Sequence, residues 1–228
     1  MATLQMFDLA GADETRRFSP FCWRARLAIA HKRLPLETIA WRFTDKAQIA
    51  GFGANRVPVL LDGGTVVFES WRIAEYLEDT YPGRPPLFGD AAGRALARVI
   101  SNWADLVLHP LVLRMKIGDI FNAIDERDRS YFRQSREARF GRTIEELVAE
   151  GPAMREPLLR ALEPMRRTIE QQPFLSGTEP LYADYILCAV FQWMRVVGGM
   201  EVLESEDPMV RWRSDVLVRY ERNLSEVH

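Results

Sequence analysis

The feature that most constrains the fold is a short apolar run that leads into a serine-proline helix start. Residues 3–9 (TLQMFDL) are rich in apolar side chains and end in a Gly-Ala-Asp turn, which predicts a buried strand. Ser19 and Pro20 then open a helix, because a serine oxygen caps free backbone N–H groups and proline suits the first helical position. A hydroxyl and several N–H groups therefore meet at the positive end of a helix dipole, where anions bind.

The predicted helix has one apolar stripe. Its apolar positions recur with helical spacing and are Trp23, Leu27, Ala30 and Leu34. The arginines of this segment, Arg24, Arg26 and Arg33, lie off that stripe. We therefore expect the stripe to pack on a sheet and the arginines to lie off the packed face.

Further strands and helices are predicted in the first third of the chain. In order, the pattern predicts a strand at residues 36–41, a short helix at 45–50, and apolar strands at 56–61 and 65–68. The linking Asp62-Gly63-Gly64 is typical of a β-hairpin turn. Ser70 then caps another helix, which Pro82-Gly83 ends.

The segment around the first helix start resembles a known active site. Ser19-Pro20-Phe21-Cys22 resembles the Cys-Pro-x-Cys site of glutaredoxins, with serine in place of the first cysteine. The longer run SPFCWRARLAIAHK is similar to the corresponding segment of the serine-type glutathione S-transferases, and the resemblance covers almost the whole chain. It implies an α/β N-terminal thioredoxin-like domain with the order βαβαββα, followed by an all-α C-terminal helical bundle.

The resemblance also implies a chemistry. Glutathione would be the co-substrate that supplies the thiol, and Ser19 would be the catalytic residue, donating a hydrogen bond that favours the thiolate. The second substrate would be a small hydrophobic or aromatic electrophile. On its own, Ser19 is also compatible with the role of an ordinary helix cap.

Two motifs are implied to bind the tripeptide. In the thioredoxin-like fold, the backbone before a cis proline pairs with the cysteinyl part of glutathione, which points here to Val57 and Pro58. The residues alone leave a trans proline at the head of an edge strand open. Glu69 and Ser70 correspond to the pair that takes the γ-glutamyl group, through the acid side chain, the hydroxyl and the helix N-terminus.

The glycyl carboxylate of glutathione needs a cation. Arg42, Lys46 and Arg56 are the cations near the right segments, and Arg42 and Arg56 are the candidate binding arginines. Arg56 is preferred because it adjoins Val57 and Pro58. A solvated surface charge is an equally good interpretation of Arg56.

The rest of the chain predicts only helices. A proline cluster at residues 82–86 marks a boundary, so we expect a glutathione-binding domain at 1–82, a linker at 83–90 and a helical domain at 91–228. Predicted helices include a long segment kinked at Pro110, a charged helix at 129–150, a helix at 154–171 and a buried core helix at 185–197. At the start of the core helix, Asp184 fits a capping box whose cap position holds Leu181, so half of the box is missing.

The electrophile is expected against the first helix of the helical domain. The candidate pocket residues, apolar or adaptable for the most part, are Phe21, Trp103, Val107, His109, Leu111 and Met115. Ordinary core burial is the alternative for most of them. His109 is a candidate acid or a group that orients a leaving oxygen, and it is also compatible with a cap at the Pro110 kink.

Looser patterns point to a subfamily. WRFTDK, YFRQSREARFG and LEPMRRTI resemble segments of the β-aryl-etherase-related transferases, in which the glutathione thiolate displaces an aryl oxide. Two alternatives stay open: glutaredoxin-like thiol exchange through Cys22, and a non-catalytic binder that keeps the fold. The resemblance also implies a homodimer.

Composition excludes other classes of function. The net charge of -2 offers no basic excess for nucleic acid, and the N-terminus has no long apolar segment that predicts a membrane anchor. We therefore expect a cytoplasmic protein with neither nucleic-acid nor membrane partners. The two cysteines, Cys22 and Cys188, match neither a disulfide framework nor a zinc spacing, so no metal is expected.

Overall fold

The N-terminal elements follow the predicted order. The computed structural model describes residues 3–199 and 201–225 of the chain. The first elements are β1 (Leu4–Leu9), α1 (Pro20–His31), β2 (Leu36–Trp41), α2 (Lys46–Ala50), β3 (Val59–Asp62), β4 (Thr65–Phe68) and α3 (Ser70–Thr80). The thioredoxin-like βαβαββα order is therefore confirmed.

The sheet register brings several chain segments to one edge. The strand order is β2-β1-β3-β4, with β1 and β2 parallel and the other neighbours antiparallel. Phe7 pairs with Val59, and Val59 pairs with Phe68. Val57 lies two residues before Val59, and Ser70 lies two residues after Phe68. The ends of β1 and β4 therefore meet the start of β3 beside the N-termini of α1 and α3.

Helix α1 is buried on more than its apolar stripe. The four stripe residues are all buried, which agrees with the expected packing. Arg24, however, is only 2% exposed, so the expectation that the arginines avoid the packed face is wrong for this residue. Its guanidinium forms an ion pair with Asp105 at 2.7 Å and contacts Ser101. Both partners come from the C-terminal helices, which cover the second side of α1.

All regular elements after β4 in the described residues are helical. They are α4 (Ala91–Trp103), a π-helical turn (Ala104–Leu108), α5 (His109–Met115), α6 (Ile117–Ala123), α7 (Glu126–Phe140), α8 (Ile144–Glu150), a 3₁₀ turn (Gly151–Met154), α9 (Arg155–Gln171), α10 (Tyr182–Val197) and α11 (Pro208–Ser225). The all-α C-terminal bundle is confirmed.

The predicted charged helix at 129–150 consists of two helices. Gly141 ends α7 with φ +65°, a left-handed conformation that glycine adopts without the steric cost of a Cβ atom. Thr143 then caps α8, and its hydroxyl and backbone exchange hydrogen bonds with Glu146 in a capping box. Charge periodicity continues across this break, which is why the pattern predicted one helix.

A π-helical turn precedes Pro110. Proline has no N–H to donate and its ring crowds the carbonyl one turn earlier, and a widened turn accommodates both effects. The turn also shifts the faces of the helix. Val107 is 39% exposed, whereas Leu108 and Val112 are fully buried. A constant helical spacing carried through residues 103–115 therefore identifies the wrong inward face.

The incomplete capping box at α10 is reinforced by other donors. The buried carboxylate of Asp184 accepts hydrogen bonds from the backbone N–H groups of Leu175, Ser176 and Leu181 and from the indole of Trp212. The missing cap hydroxyl is thus offset by contacts that tie α10 to the preceding loop and to α11.

One stretch passes a simple membrane test. By length and composition alone, Ala91–Met115 is long and apolar enough to cross a membrane, and 44% of its most apolar window is buried inside the protein. Buried core helices pass the same test, so this is weak evidence for a membrane span.

We predict that Asp184→Ala lowers the free energy of unfolding by about 3–5 kcal/mol, because several buried N–H groups lose their acceptor together. Urea titration followed by circular dichroism measures the loss. Asp184→Asn keeps one acceptor oxygen and is expected to lose less.

Asp79→Ala, at an exposed position of α3, is the matched control, expected to change stability by less than about 0.5 kcal/mol. Equal losses in Asp184→Ala and Asp79→Ala would contradict the assigned role of Asp184.

Candidate functional site

A cavity of about 450 Å³ opens between the sheet edge and the C-terminal helices. From the N-terminal part it is lined by Leu9, Phe18, Ser19, Pro20, Phe21, Trp41, Phe43, Lys46, Arg56 and Val57. From the helices it is lined by Asp105, His109, Leu113, Ile120, Tyr131, Phe132, Arg136, Arg139 and Trp193. Apolar and aromatic side chains form most of this wall, and the charged groups are few, as in many small-molecule sites.

Ser19 is the hydroxyl at the helix end of this cavity. It is the N-cap of α1, and its Oγ accepts a hydrogen bond from the backbone N–H of Cys22 at 3.2 Å. Among the described residues the hydroxyl donates to no oxygen or nitrogen atom, and its side-chain partner is the Cys22 thiol, so its proton can turn towards a ligand in the cavity. The first turn of α1 carries no acidic side chain that would neutralise the helix dipole. The geometry suits a bound anion.

Val57 belongs to the same cavity wall. The Val57-Pro58 peptide bond is cis, which answers the question that the residues alone left open. Val57 lines the cavity and lies just before β3 begins. In the part of the chain that the structure describes, neither its N–H nor its C=O makes a hydrogen bond. Both groups can therefore pair with an extended peptide.

Glu69 and Ser70 lie at the same sheet edge but outside the cavity wall. The expectation that Ser70 caps α3 is not met, because Glu69 occupies the N-cap position with φ +70° and Ser70 is the first helical residue. Ser70 is buried, and its carbonyl accepts a hydrogen bond from the Tyr182 hydroxyl at 2.8 Å. The Glu69 carboxylate lies 3.5 Å from the Arg72 guanidinium.

The candidate cations divide into two groups. Arg56 and Lys46 line the cavity near Val57. Arg42 does not, because its guanidinium points to Glu14 at 3.1 Å and Asp125 at 3.4 Å. The structure therefore places Arg42 in an ion-pair network and away from the cavity. All three cations lie near the predicted glutathione-binding segments in the sequence. Only the direction of each side chain decides whether it lines the cavity.

Two of the six residues expected at the electrophile pocket line the cavity. These are Phe21 and His109. The other four, Trp103, Val107, Leu111 and Met115, do not line it. The π-helical turn is the physical reason, since it brings Asp105, His109 and Leu113 to the cavity face instead.

Sequence reasoning missed the contribution of α7. Phe132, Arg136 and Arg139 are spaced by four and three residues, so they share one face of this helix, and all line the cavity. They lie in the YFRQSREARF segment. The 132–136–139 spacing predicts that these residues share a helix face, but it gives no indication that this face of α7 adjoins Ser19.

His109 is neutral at ordinary pH. Burial, together with the charges of Arg24 and Arg139, lowers the pKa of His109 to about 3. Its ring packs edge-on against Phe21 and Trp193. With this pKa the ring carries no charge near pH 7, so His109 can serve as an acid only through the N–H of the neutral ring. The neutral ring keeps one N–H donor and one acceptor nitrogen.

Cys22 lies beneath the cavity. It is fully buried, does not line the cavity, and its pKa is raised well above the ordinary value by burial and by the neighbouring Asp8 carboxylate. The thiol is therefore neutral and shielded, which is the opposite of a reactive cysteine. Among the described residues, no group of three or more His, Cys, Asp or Glu side chains is arranged to hold a metal ion.

Two family models match the chain. Residues 15–85 match "Glutathione S-transferase, N-terminal domain" and residues 95–226 match "Glutathione S-transferase, C-terminal domain". The chain is also 37% identical over 97 residues to a probable glutathione S-transferase GSTU1 of Oryza sativa subsp. indica, covering 39% of this chain and 42% of the rice protein. The match thus spans less than half of that relative's length.

Solved structures share the fold. Glutathione transferase GSTFuA3 from Phanerochaete chrysosporium superposes with a TM-score of 0.86 at 24% identity, over 96% of this chain and 98% of that one. Glutathione S-transferase CsGST63524 of Ceriporiopsis subvermispora, in complex with glutathione, gives a TM-score of 0.80 at 19% identity, over 97% and 98%. At this identity the likeness concerns the fold alone.

The lowered pKa of His109 predicts loss of stability in acid. The unfolded chain binds a proton on this ring near pH 6.5, whereas the folded protein does so only near pH 3. Stability is therefore complete above pH 6.5 and falls as the pH drops towards 3, with about 2 kcal/mol lost between pH 7.5 and pH 5. We expect His109→Gln to reduce this loss by about that amount in urea titrations at the two pH values.

His31 provides an internal comparison. Burial lowers the pKa of His31 to about 4, so His31→Gln should reduce the same pH-dependent loss by a similar amount, and the double variant by the sum. If His109→Gln loses as much unfolding free energy between pH 7.5 and pH 5 as the wild type does, the assignment of a neutral His109 is contradicted.

Proposed function

Because the chain belongs to the glutathione S-transferase family, we propose that it activates the thiol of its co-substrate glutathione at Ser19 and transfers it to a hydrophobic or aromatic electrophile. The observation that carries this proposal is the Ser19 hydroxyl, which accepts from the Cys22 backbone N–H, lies at the wall of the cavity and has only the Cys22 thiol as a competing partner for its proton. A sulfur anion is the partner that this arrangement suits.

Ser19 and α1 would stabilise the thiolate together. A free thiol has a pKa of roughly 8.5 and is only slightly ionised at neutral pH. A hydrogen bond from the Ser19 hydroxyl and the free N–H groups at the start of α1 both favour the ionised form. Lowering the pKa by about one to two units, roughly 1.4–2.7 kcal/mol, ionises about a quarter to three quarters of the sulfur at pH 7. The thiol proton leaves to solvent.

The rest of glutathione would lie along the sheet edge. We propose that the Val57 backbone, before Pro58, pairs with the cysteinyl unit, since both of its polar groups are unbonded among the described residues. Glu69 would take the γ-glutamyl ammonium, while the Ser70 hydroxyl and the N-terminus of α3 would take its carboxylate. The glycyl carboxylate would bind Arg56, with Lys46 beside it.

The electrophile would occupy the aromatic part of the cavity. Phe21, Phe43, Tyr131 and Trp193 form a wall that suits a flat ring. We propose that aryl-ether cleavage is among the reactions: the thiolate attacks the carbon that bears the ether oxygen, the C–S bond forms, and the C–O bond breaks to release an aryl oxide. The His109 ring faces Arg24 through Nε2 and Asp105 through Nδ1, each at 3.5 Å, so its N–H would have to turn from Asp105 to donate to that oxygen.

The organisation of the protein is part of the same proposal. We propose a glutathione-binding domain at 1–82, a linker at 83–90 and a helical domain at 91–228 that lines the electrophile part of the cavity. Dimerisation is typical of the family, so we also propose a homodimer in the cytoplasm. Thiol exchange through Cys22 is disfavoured because that thiol is fully buried and neutral.

We expect Ser19→Ala to lower kcat/KM for glutathione conjugation of 1-chloro-2,4-dinitrobenzene by roughly ten- to a thousand-fold, the range for losing one such donor. The hydrogen bond to the nascent thiolate is lost, whereas the cavity keeps its shape. Steady-state kinetics at pH 6.5 measures the effect, because the free thiol contributes little there.

Ser19→Thr keeps a hydroxyl and is expected to retain most of the activity. Cys22→Ala should react at nearly the wild-type rate once its stability has been checked, because the thiol takes no part. Ser19→Ala kinetics indistinguishable from wild type, or activity that disappears in Cys22→Ala alone, would refute the role of Ser19.

A further inference from the structure

Helix α7 brings two arginines to the electrophile part of the cavity. Arg136 and Arg139 follow Phe132 on one face of the helix and line the cavity with it. Ser19 and Val57 line the same cavity from the N-terminal domain. The two guanidinium groups therefore belong to the wall that the proposed function gives to the second substrate.

Neither arginine has a carboxylate partner. Within residues 3–199 and 201–225, no carboxylate lies within 4 Å of either guanidinium, whereas Arg133 on the same helix forms ion pairs with Glu137 and Glu145. Arg136 donates to the Ser135 hydroxyl, and its Nε is buried without an acceptor. Arg136 is partly buried, whereas Arg139 is exposed. A partly buried charge without a counter-charge is costly, so an anion that reached Arg136 would be bound favourably.

The two guanidinium groups are held among aromatic rings. The Arg136 guanidinium lies 4.4 Å from the ring centre of Phe132 and 5.3 Å from that of Phe43. Arg139 lies 5.4 Å from the ring centre of Phe140. Burial and the neighbouring Arg139 charge lower the pKa of Arg136, but an arginine stays charged at neutral pH. Cation and rings together form a place for a ring that carries a negative group.

The charges of glutathione do not account for this pair. The cavity wall carries four cations, Lys46, Arg56, Arg136 and Arg139, and one acid, Asp105, which is already paired with Arg24. In the proposed binding mode one glutathione carboxylate lies at the start of α3 and the other at Arg56. Both glutathione carboxylates therefore have partners that do not belong to α7.

Resting on the proposed function, we propose that the electrophile is an aromatic compound that carries a carboxylate, and that Arg136 and Arg139 bind this carboxylate. The planar guanidinium matches a carboxylate with two parallel hydrogen bonds. The aromatic ring of the substrate lies against the aromatic wall, and its reactive carbon faces the sulfur at Ser19. A carboxylate of glutathione itself is the competing occupant of the arginine pair.

A matched pair of substrates tests the inference. 4-Chloro-3-nitrobenzoate and 4-chloro-3-nitrobenzamide share the ring and the leaving group and differ in charge. In both, the glutathione sulfur forms a bond to the carbon that bears chlorine, the C–Cl bond breaks, and chloride leaves with the electron pair. Each kcat/KM is divided by the uncatalysed rate constant with glutathione, because the two rings differ in intrinsic reactivity.

We expect the normalised kcat/KM of the wild type to favour the benzoate by at least about ten-fold. The double variant Arg136→Gln/Arg139→Gln is expected to lose about 10- to 100-fold on the benzoate, the size of one or two charge-assisted hydrogen bonds, and less than about three-fold on the benzamide. Its KM for glutathione should be unchanged. Arg129→Gln, which changes an exposed arginine of α7 outside the cavity, is the matched control and should behave as the wild type.

Two kinetic outcomes overturn the inference. One is an equal loss on benzoate and benzamide in the double variant. The other is a raised KM for glutathione, which would assign the arginine pair to the tripeptide.

Calorimetry with 4-amino-3-nitrobenzoate and its amide, which lack a leaving group, separates this inference from the proposed function. Charge-selective binding that depends on the two arginines, without turnover, supports the anion site and refutes the transferase. Turnover of the benzamide without any preference for the benzoate, in kinetics or binding, supports the transferase and refutes the anion site.

Discussion

The hydrogen bond from the Cys22 backbone N–H to the Ser19 hydroxyl is the interaction on which the site depends. It fixes the start of α1, directs the serine oxygen's acceptor side inward and leaves its proton for a ligand. The sheet register then brings Val57 and Ser70 to the same end of the sheet, because each lies two residues beyond the paired Val59 and Phe68. An anion-binding helix end and an unpaired peptide edge are thereby joined, which is the requirement for holding a small thiol peptide.

The elements of the N-terminal domain could be predicted because their signals are local. The Ser19-Pro20 start, the hairpin glycines and the alternation of short apolar runs each act within a few residues. The buried Arg24 could not be predicted in this way, because its partners Ser101 and Asp105 lie about eighty residues further along the chain. Long-range pairing of this kind leaves no trace in local periodicity.

Part of each predicted wall lines the cavity: Ser19, Arg56 and Val57 on one side, and Phe21 and His109 on the other. Arg42, Pro58, Glu69 and Ser70 do not line it. The motifs at Ser19 and Val57 are short and contiguous, whereas the opposite wall is assembled from several helices. A π-helical turn before Pro110 moved that wall from the stripe through Val107 to the one through His109. The face of α7 that carries Arg136 and Arg139 can be assigned to the cavity only after the helices are packed.

The most direct test of the central claim is the ionisation of glutathione bound to the protein. Absorbance near 240 nm reports the thiolate, and a pH titration of the complex gives the pKa of the bound thiol. The account predicts a value lowered by about one to two units from the free value of roughly 8.5. A bound thiol that titrates at the pKa of free glutathione would contradict it.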